Sequence, residues 1–350
     1  MLKQIIAHKI QNTKLTLSLI FALTLSLPLR AQFRVVDAED GNPIGGVYVF
    51  DSDGKLLGLS NSEGKVDKYD GMVKLSVMTY ESQTVDASTF HGDVQLKPST
   101  FELPEVVVSK TEYTKVTTAF RDIYRSNGKT VLYREGLADY YVNMKTKKAT
   151  RRIRSCRQFE MPGLRKVETF AKTLFSAKAS DLSHITAVKQ EGVSDTRGDS
   201  TFISATFHGH HADDGIVEIN THKEGMFRHL INTTKLQKNE MNLFGMNLSI
   251  KQNLMDWTTN DNTGTLLSLI AVRQLVSYDW AYDKHTLSQV ESISDVVVVE
   301  TESISKDDAK REMKDKSISR EVSRTNSLPD IPYDVQHELQ GLEQHDFWDR

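Results

Sequence analysis

The densest chemistry-bearing stretch of this 350-residue sequence is His208-Gly-His210-His211-Ala-Asp213-Asp214. Imidazoles and carboxylates are good ligands for zinc or copper. If Phe207 ends a strand, His208 and His210 point to the same side of it. His208, His210, His211 and Asp213 are therefore candidate metal ligands, and a metal held there would serve a metal-dependent hydrolase. The competing reading is a soluble hairpin tip that happens to be rich in His and Asp. His222 and His229 are further imidazoles that the sequence leaves unplaced. No distant partner ligand is identifiable, so the expectation is a chain without a cofactor.

A second cluster is basic. Lys145, Lys147, Lys148, Arg151, Arg152, Arg154 and Arg157 lie close together, flanked by Tyr140, Tyr141 and Phe159. Arg151, Arg152, Arg154 and Arg157 are candidate ligand-binding residues for a phosphate-bearing lipid head group or an acidic glycan. The bland alternative is a solvated hairpin face balanced by acids elsewhere. Tyr278, Trp280 and Tyr282 alternate and so share one strand face, which suits a buried core better than a sugar-stacking platform.

Other constellations fail on spacing. No His is followed by Glu in His-x-x-Glu order, and His-Glu-x-x-His and Gly-x-Ser-x-Gly are absent. Ser-x-x-Lys occurs at Ser52, Ser62, Ser126 and Ser303, but the first three sit in Gly-containing turns. Gly58 to Lys65 is one residue too long for a phosphate loop, and Val66 stands where a Mg²⁺ ligand belongs. Asp51-Ser-Asp-Gly54 opens like a calcium loop but lacks the closing Glu, so it reads as a turn. The expectation is a chain that is not an enzyme.

The elements that must position these residues begin with an export signal. Lys3, Lys9 and Lys14 precede the apolar run Leu15 to Leu27, and Ala31 supplies a small residue before Gln32. That is the pattern of a cleaved signal peptide, and the run is shorter than the roughly 20 residues that span a bilayer. Cleavage would leave 319 residues, enough for two domains, with no later transmembrane helix. Losing Lys3, Lys9, Lys14 and Arg30 and no acid takes the formal charge from −3 to −7. A mildly acidic exported chain is not a nucleic-acid binder. Its single cysteine, Cys156, leaves no intramolecular disulfide.

From Phe33 to Lys97, short strands alternate with turns at Asp40-Gly-Asn-Pro43, Asp51-Ser-Asp-Gly54 and Asn61-Ser-Glu-Gly64. That spacing argues for a sandwich. The run Val36-Asp37, Gly41-Asn-Pro-Ile44-Gly-Gly-Val47-Tyr-Val49, Gly58-Leu-Ser-Asn-Ser-Glu-Gly64, Leu75 to Tyr80 and Val94-Gln-Leu96 resembles a carboxypeptidase-regulatory-like domain. The resemblance covers residues 33 to 97 and implies a transthyretin-like, seven-stranded antiparallel sandwich, common at the N-termini of exported Bacteroidetes-type proteins. Lys65-Val66 departs from the pattern, where an aromatic is usual. Leu103-Pro-Glu-Val-Val-Val-Ser109 resembles the linker that follows such a domain in TonB-dependent receptors, but too little chain follows for a receptor barrel.

Residues 113 to 301 read as a larger, antiparallel β-rich domain. Within Thr130 to Met144, strands are expected at Val131 to Arg134 and Leu137 to Val142, with others at Ala149 to Phe159, Thr201 to Phe207, Gly215 to Asn220, Asn242 to Ile250, Leu266 to Val272, Val276 to Tyr282 and Ser294 to Thr301. Gly136 marks a bend or bulge. A weak helix is expected at Lys166 to Ala179 and a loop at 191–200. Ser305-Lys-Asp-Asp308 predicts a helix N-terminus, with a charged surface helix to about Arg324 and a polar tail after it.

The fold class is thus mainly β with minor α. The layout is 1–31 signal, 32–98 sandwich, 99–112 linker, 113–301 β-rich domain, and 302–350 charged helix and tail. The expected function is a non-catalytic cell-envelope protein, periplasmic, outer-membrane associated or secreted. It would bind or assemble with a protein, glycan or lipid partner.

Overall fold

A computed structural model describes residues 33–99, 111–163, 182, 188–197, 200–207, 209–221, 225–236, 238–243, 245–261, 265–281, 287–322, 328 and 339–345. The signal segment, most of the 99–112 linker, the expected helix at 166–179, His208, His222 and Tyr282 lie outside the described residues. The fold is mainly β, as the alternation of apolar and polar residues predicts.

The N-terminal unit contains β1 (Phe33–Asp37), β2 (Tyr48–Phe50), β3 (Leu56–Leu59), β4 (Met72–Ser76), β5 (Gln83–Asp86) and β6 (Gly92–Leu96). Strands β3-β2-β4-β5 form an antiparallel sheet, and β1 pairs with β6 in parallel. Val35, Val47, Val49, Val73, Leu75 and Val94 fill the space between the two sheets. The expected sandwich had seven antiparallel strands; the described residues give six, with one parallel pair. The reason lies in the 41–47 segment. Gly41 and Gly46 have positive φ (74° and 66°), and Pro43 has no N–H for a ladder. The chain there contributes only the isolated bridge Val36 to Pro43, and Arg34 likewise bridges singly to Lys65.

From Tyr113 onward, the strands among the described residues build one twelve-stranded sheet. Its strands are β7 (Tyr113–Ser126), β8 (Lys129–Asn143), β9 (Ala149–Glu160), β10 (Lys189–Arg197), β11 (Ser200–Phe207), β12 (His210–Asn220), β13 (Phe227–Asn232), β14 (Glu240–Leu243), β15 (Met246–Thr259), β16 (Leu269–Ala281), β17 (Leu287–Ile304) and β18 (Glu343–His345). The order is β10-β11-β12-β13-β15-β16-β17-β7-β8-β9-β18, with β14 on β15. Neighbours in sequence mostly pair as hairpins. The exceptions are β13 with β15, β9 with β18, and β17, which returns to pair with β7 from Ile304–Tyr113 to Val290–Ser126.

Both faces of the central strands are buried, which explains the unbroken apolar run Val296 to Val299 in β17. On β16, Val272, Val276, Tyr278 and Trp280 face away from the sandwich, while Arg273 and Leu275 face it. Tyr278 and Trp280 are buried core residues, as the alternating stripe predicts, and the Tyr278 hydroxyl lies 3.0 Å from that of Tyr124.

Several elements differ from the expected ones. Tyr113–Ser126 is a strand that the sequence reading did not identify. Lys189–Arg197, which includes most of the expected 191–200 loop, is an edge strand with two register irregularities. Its Gly, Asp and Ser residues are tolerated because every residue in it is exposed. The expected pair Leu266 to Val272 and Val276 to Tyr282 is one strand. Asn242 to Ile250 is split at Gly245, which has φ 80°. The bulge expected near Gly136 is real: register shifts between Leu137 and Ala138, leaving Arg154 of β9 unpaired. The backbone groups beside it are taken up by Ser319, which donates to the Arg154 carbonyl at 3.0 Å and accepts from Cys156 at 2.8 Å.

The helix α1 (Lys306–Lys314) starts where expected, with the Ser305 side chain accepting from the Asp308 amide at 3.1 Å. It ends ten residues before Arg324, because the chain turns extended at Asp315 to reach β9 through Ser319. Its Glu312 holds it to the sheet, accepting from Lys115 at 3.1 Å and Tyr141 at 2.9 Å. The polar tail supplies β18, which pairs with the outer edge of β9.

Candidate functional site

The sandwich lies against one face of the large sheet, and the seam is built around buried ion pairs. Register places Arg273 of β16 directly opposite Asp295 of β17, and Asp295 directly opposite Arg121 of β7. Arg273 Nε donates to Asp295 Oδ1 at 2.7 Å, and Arg121 Nη2 donates to Asp295 Oδ2 at 2.9 Å. Arg273 Nη1 reaches across to Ser76 Oγ of the sandwich at 2.9 Å, and its guanidinium lies 5.4 Å from the centre of the Tyr48 ring. Burial alone would raise the Asp295 carboxyl, but the two guanidiniums outweigh it and hold it below the usual carboxylate range.

A second pair sits beside it. Arg228 of β13 donates to Asp256 of β15 at 3.0 and 2.7 Å. Its remaining N–H groups donate to the sandwich carbonyls of Gly45 at 2.6 Å and Gly46 at 2.8 Å. The turn at Gly45-Gly46 is what lets those carbonyls come so close, since a side chain at Gly46 would meet Ile219. Around the ions, Tyr48, Phe50 and Leu56 of the sandwich pack on Ile219, Leu230, Leu254, Leu275 and Ile293 of the sheet. Arg125 adds a hydrogen bond to the Asp53 carbonyl at another point of the seam.

A cleft of about 760 Å³ opens at the edge of this seam, between β3 on one side and β13 to β15 on the other. Asn232, Thr234, Asn239 and Gln252 supply amide and hydroxyl groups, and Leu56, Leu59 and Leu254 supply an apolar strip. Lys235 and Lys251 also line it. Lys235 is paired with Asp214, and Lys251 lies 3.3 Å from Asp279. The volume falls within the roughly 300–1,000 Å³ of ordinary small-molecule sites.

The histidine cluster is elsewhere, at the β11–β12 hairpin. His210 opens β12 and is exposed. The His211 ring lies between two carboxylates, with Nδ1 2.9 Å from Glu191 and Nε2 3.1 Å from Asp213. The two carboxylates thus lie at opposite ring nitrogens. Among the described residues, no three His, Cys, Asp or Glu side chains gather to hold a metal. His229 is buried on β13, with Nε2 3.0 Å from Glu218, far along the strand from the hairpin tip.

The arginine run lies on β9 opposite an acidic row on β8. Arg152 is opposite Asp139, and Arg157 is opposite Glu135. Arg157 pairs with Glu135. Arg152 donates to Asp315 at 2.6 Å, and Arg152 and Arg154 both lie 3.8 Å from Asp139. Arg151, opposite Tyr140, also has an intramolecular partner. The structure thus sets Arg152, Arg154 and Arg157 against acids of the same chain. Cys156 is buried in the core.

The seam residues Arg121, Arg228, Asp256, Arg273 and Asp295, and the cleft amides, were missed by sequence reasoning. A signal existed for the ions: single charges interrupt the apolar runs Leu269 to Val276 and Ile293 to Val299. A charge inside a strand buried on both faces needs a partner. The cleft has no such signal, because its residues come from distant parts of the chain.

No family model matches the chain, and no curated protein matches it. Among solved structures, the ywiB protein from Bacillus subtilis is similar over 54% of this chain and 94% of its own, at 10% identity and a TM-score of 0.14. A likeness at that score carries no argument about fold or activity.

Proposed function

We propose that this chain is an exported, non-catalytic binding module of the cell envelope, and that the seam cleft is where it takes its ligand. The observation that carries this reading is the cleft itself, whose two walls belong to different units joined by hydrogen bonds from buried, ion-paired arginines. Such walls are fixed before a ligand arrives, and preorganisation reduces the ordering cost of binding. The sandwich then serves as half of a binding site. The export signal and the resemblance to carboxypeptidase-regulatory-like domains support an envelope location, periplasmic or outer-membrane associated, with a glycan, lipid or protein as partner.

Two measurements test this. Fractionation of cells producing the chain, with N-terminal sequencing, should find the mature protein in the envelope starting at Gln32; an intact N-terminus in the cytosol would overturn the export reading. Purified protein should turn over no peptide, ester or phosphoester substrate, with or without added zinc. Turnover that EDTA abolishes and His210→Ala with His211→Ala removes would replace the binding module with a metal-dependent hydrolase.

A further inference from the structure

We infer that the seam cleft binds a neutral, polyhydroxylated ligand, a short oligosaccharide, through the side-chain amides of Asn239, Gln252 and Asn232. The inference rests on the binding-module reading and narrows it to one ligand class.

The first ground is that these amides are uncommitted. The side chains of Asn239 and Gln252 make no hydrogen bond among the described residues, and the Asn239 oxygen is buried without a partner. That oxygen is itself shielded, so a ligand in the cleft meets it only if the amide turns. No described group holds the Asn239 amide in its present sense, so a half-turn exchanges its oxygen for its NH2 without breaking a hydrogen bond among the described residues. Asn232 uses its oxygen to accept from the Thr234 amide at 3.2 Å, which leaves its NH2 to donate. A primary amide offers a donor and an acceptor side by side. Adjacent hydroxyls on a sugar ring offer the same pair in return.

The second ground is charge. Both lysines in the cleft are already set against carboxylates, Lys235 against Asp214 and Lys251 against Asp279. Those four charges cancel, so the cleft has little to gain from an anion. That separates it from a site for a phosphate or a uronic acid. The third ground is apolar wall, where the partly exposed Leu59 lines the cleft beside the edges of the buried Leu56 and Leu254. It suits the C–H face of a pyranose, which is apolar while its rim is hydroxylated. An extended peptide would instead be held by a strand edge through backbone groups, whereas the polar lining here is supplied by side chains.

The test is titration calorimetry of the full mature chain with four neutral trisaccharides, cellotriose, maltotriose, mannotriose and chitotriose, at roughly millimolar concentration. Trigalacturonate and tetra-alanine serve as anionic and peptide probes. The expected result is saturable binding of at least one neutral sugar, weakened at least about tenfold by Asn239→Ala combined with Gln252→Ala. Neither side chain holds the fold, so urea unfolding of that variant should match the parent. No neutral sugar binding, tighter binding of trigalacturonate or of tetra-alanine, or sugar binding that the double substitution leaves unchanged would each overturn the inference. Failure here would leave the envelope location and the absence of turnover standing. Cytosolic protein that still binds a neutral sugar would instead sink the export reading alone.

Discussion

Arg228 and Asp256 form a bidentate ion pair that is almost completely shielded from water, 2.7 Å at its closest. The same guanidinium carries two hydrogen bonds to sandwich carbonyls. Burial by itself would lower the Arg228 pKa; Asp256 more than compensates, so the arginine stays charged. Removing the carboxylate strands that charge. Asp256→Ala is expected to cost about 3–5 kcal/mol, read as a lower urea midpoint, because an uncompensated buried ion is the dominant penalty. Replacing both partners with apolar residues, Arg228→Met with Asp256→Leu, should recover much of the loss. If the single and double variants unfold at the same urea concentration, the pair is not the source of the cost.

The Gly45-Gly46 turn gives a second expectation. At Gly46, φ is 66° and a Cβ would lie 2.7 Å from Ile219 Cδ1. Gly46→Ala should therefore destabilise by about 1–3 kcal/mol, through backbone strain and overlap together. Ile219→Val removes that Cδ1. Alone it should cost about 0.5–1.5 kcal/mol, and in the Gly46→Ala background less. A double-mutant cycle checks this, and strict additivity would disprove the contact.

His229 sets a pH dependence. Burial is the largest influence and lowers its pKa, against the opposing pull of Glu218 and Asp256; Trp257 packs on its edge. An unfolded imidazole takes up a proton near pH 6.5 or so, whereas the folded one resists until lower pH. The unfolded state thus binds more protons in that interval. The contribution of His229 is complete above about pH 6.5 and is lost as the pH falls through the folded value. His229→Gln keeps a donor for Glu218 and does not titrate. The slope of unfolding free energy against pH, below neutrality, should be flatter in this variant than in the parent. Equal slopes would show that His229 is not the group responsible.

Gly136 of β8 lies directly opposite Cys156 of β9. A Cβ there would overlap the Ser155 carbonyl oxygen and press on Phe120. Gly136→Ala should cost about 2–4 kcal/mol and open the bulge that Ser319 fills. Hydrogen exchange at the Cys156 amide, which donates to Ser319, should accelerate along with the loss of stability. Unchanged protection would mean that the bulge accommodates the methyl group.

Much of this architecture was legible from local pattern. The sandwich strands, the strand Ala149–Glu160, the Gly136 irregularity and the Ser305 cap all follow from alternation, turn residues and capping chemistry, whereas Lys129–Asn143 runs unbroken through Gly136 where two strands are expected. What escaped was non-local. The strand Tyr113–Ser126 is buried on both faces and carries Arg121, Asp122 and Arg125, so it shows no alternation to read. The β10 edge is polar apart from Val193, which resembles a loop until a partner strand is known. The arginine run looked like a ligand surface because Glu135 and Asp139, which face it, belong to the preceding strand. The cleft draws Leu56 from one unit and Gln252 from the other, a distance in sequence that no periodicity spans.

Arg228 grips its neighbour by carbonyl oxygens, which every amino acid carries. The sandwich surface at that point is therefore nearly free to drift in sequence while the docking persists, so long as the turn at Gly45-Gly46 keeps its shape. The heritable part of the seam resides in the sheet, in Arg228 and Asp256, and an alignment of descendants should show those two positions changing together or not at all.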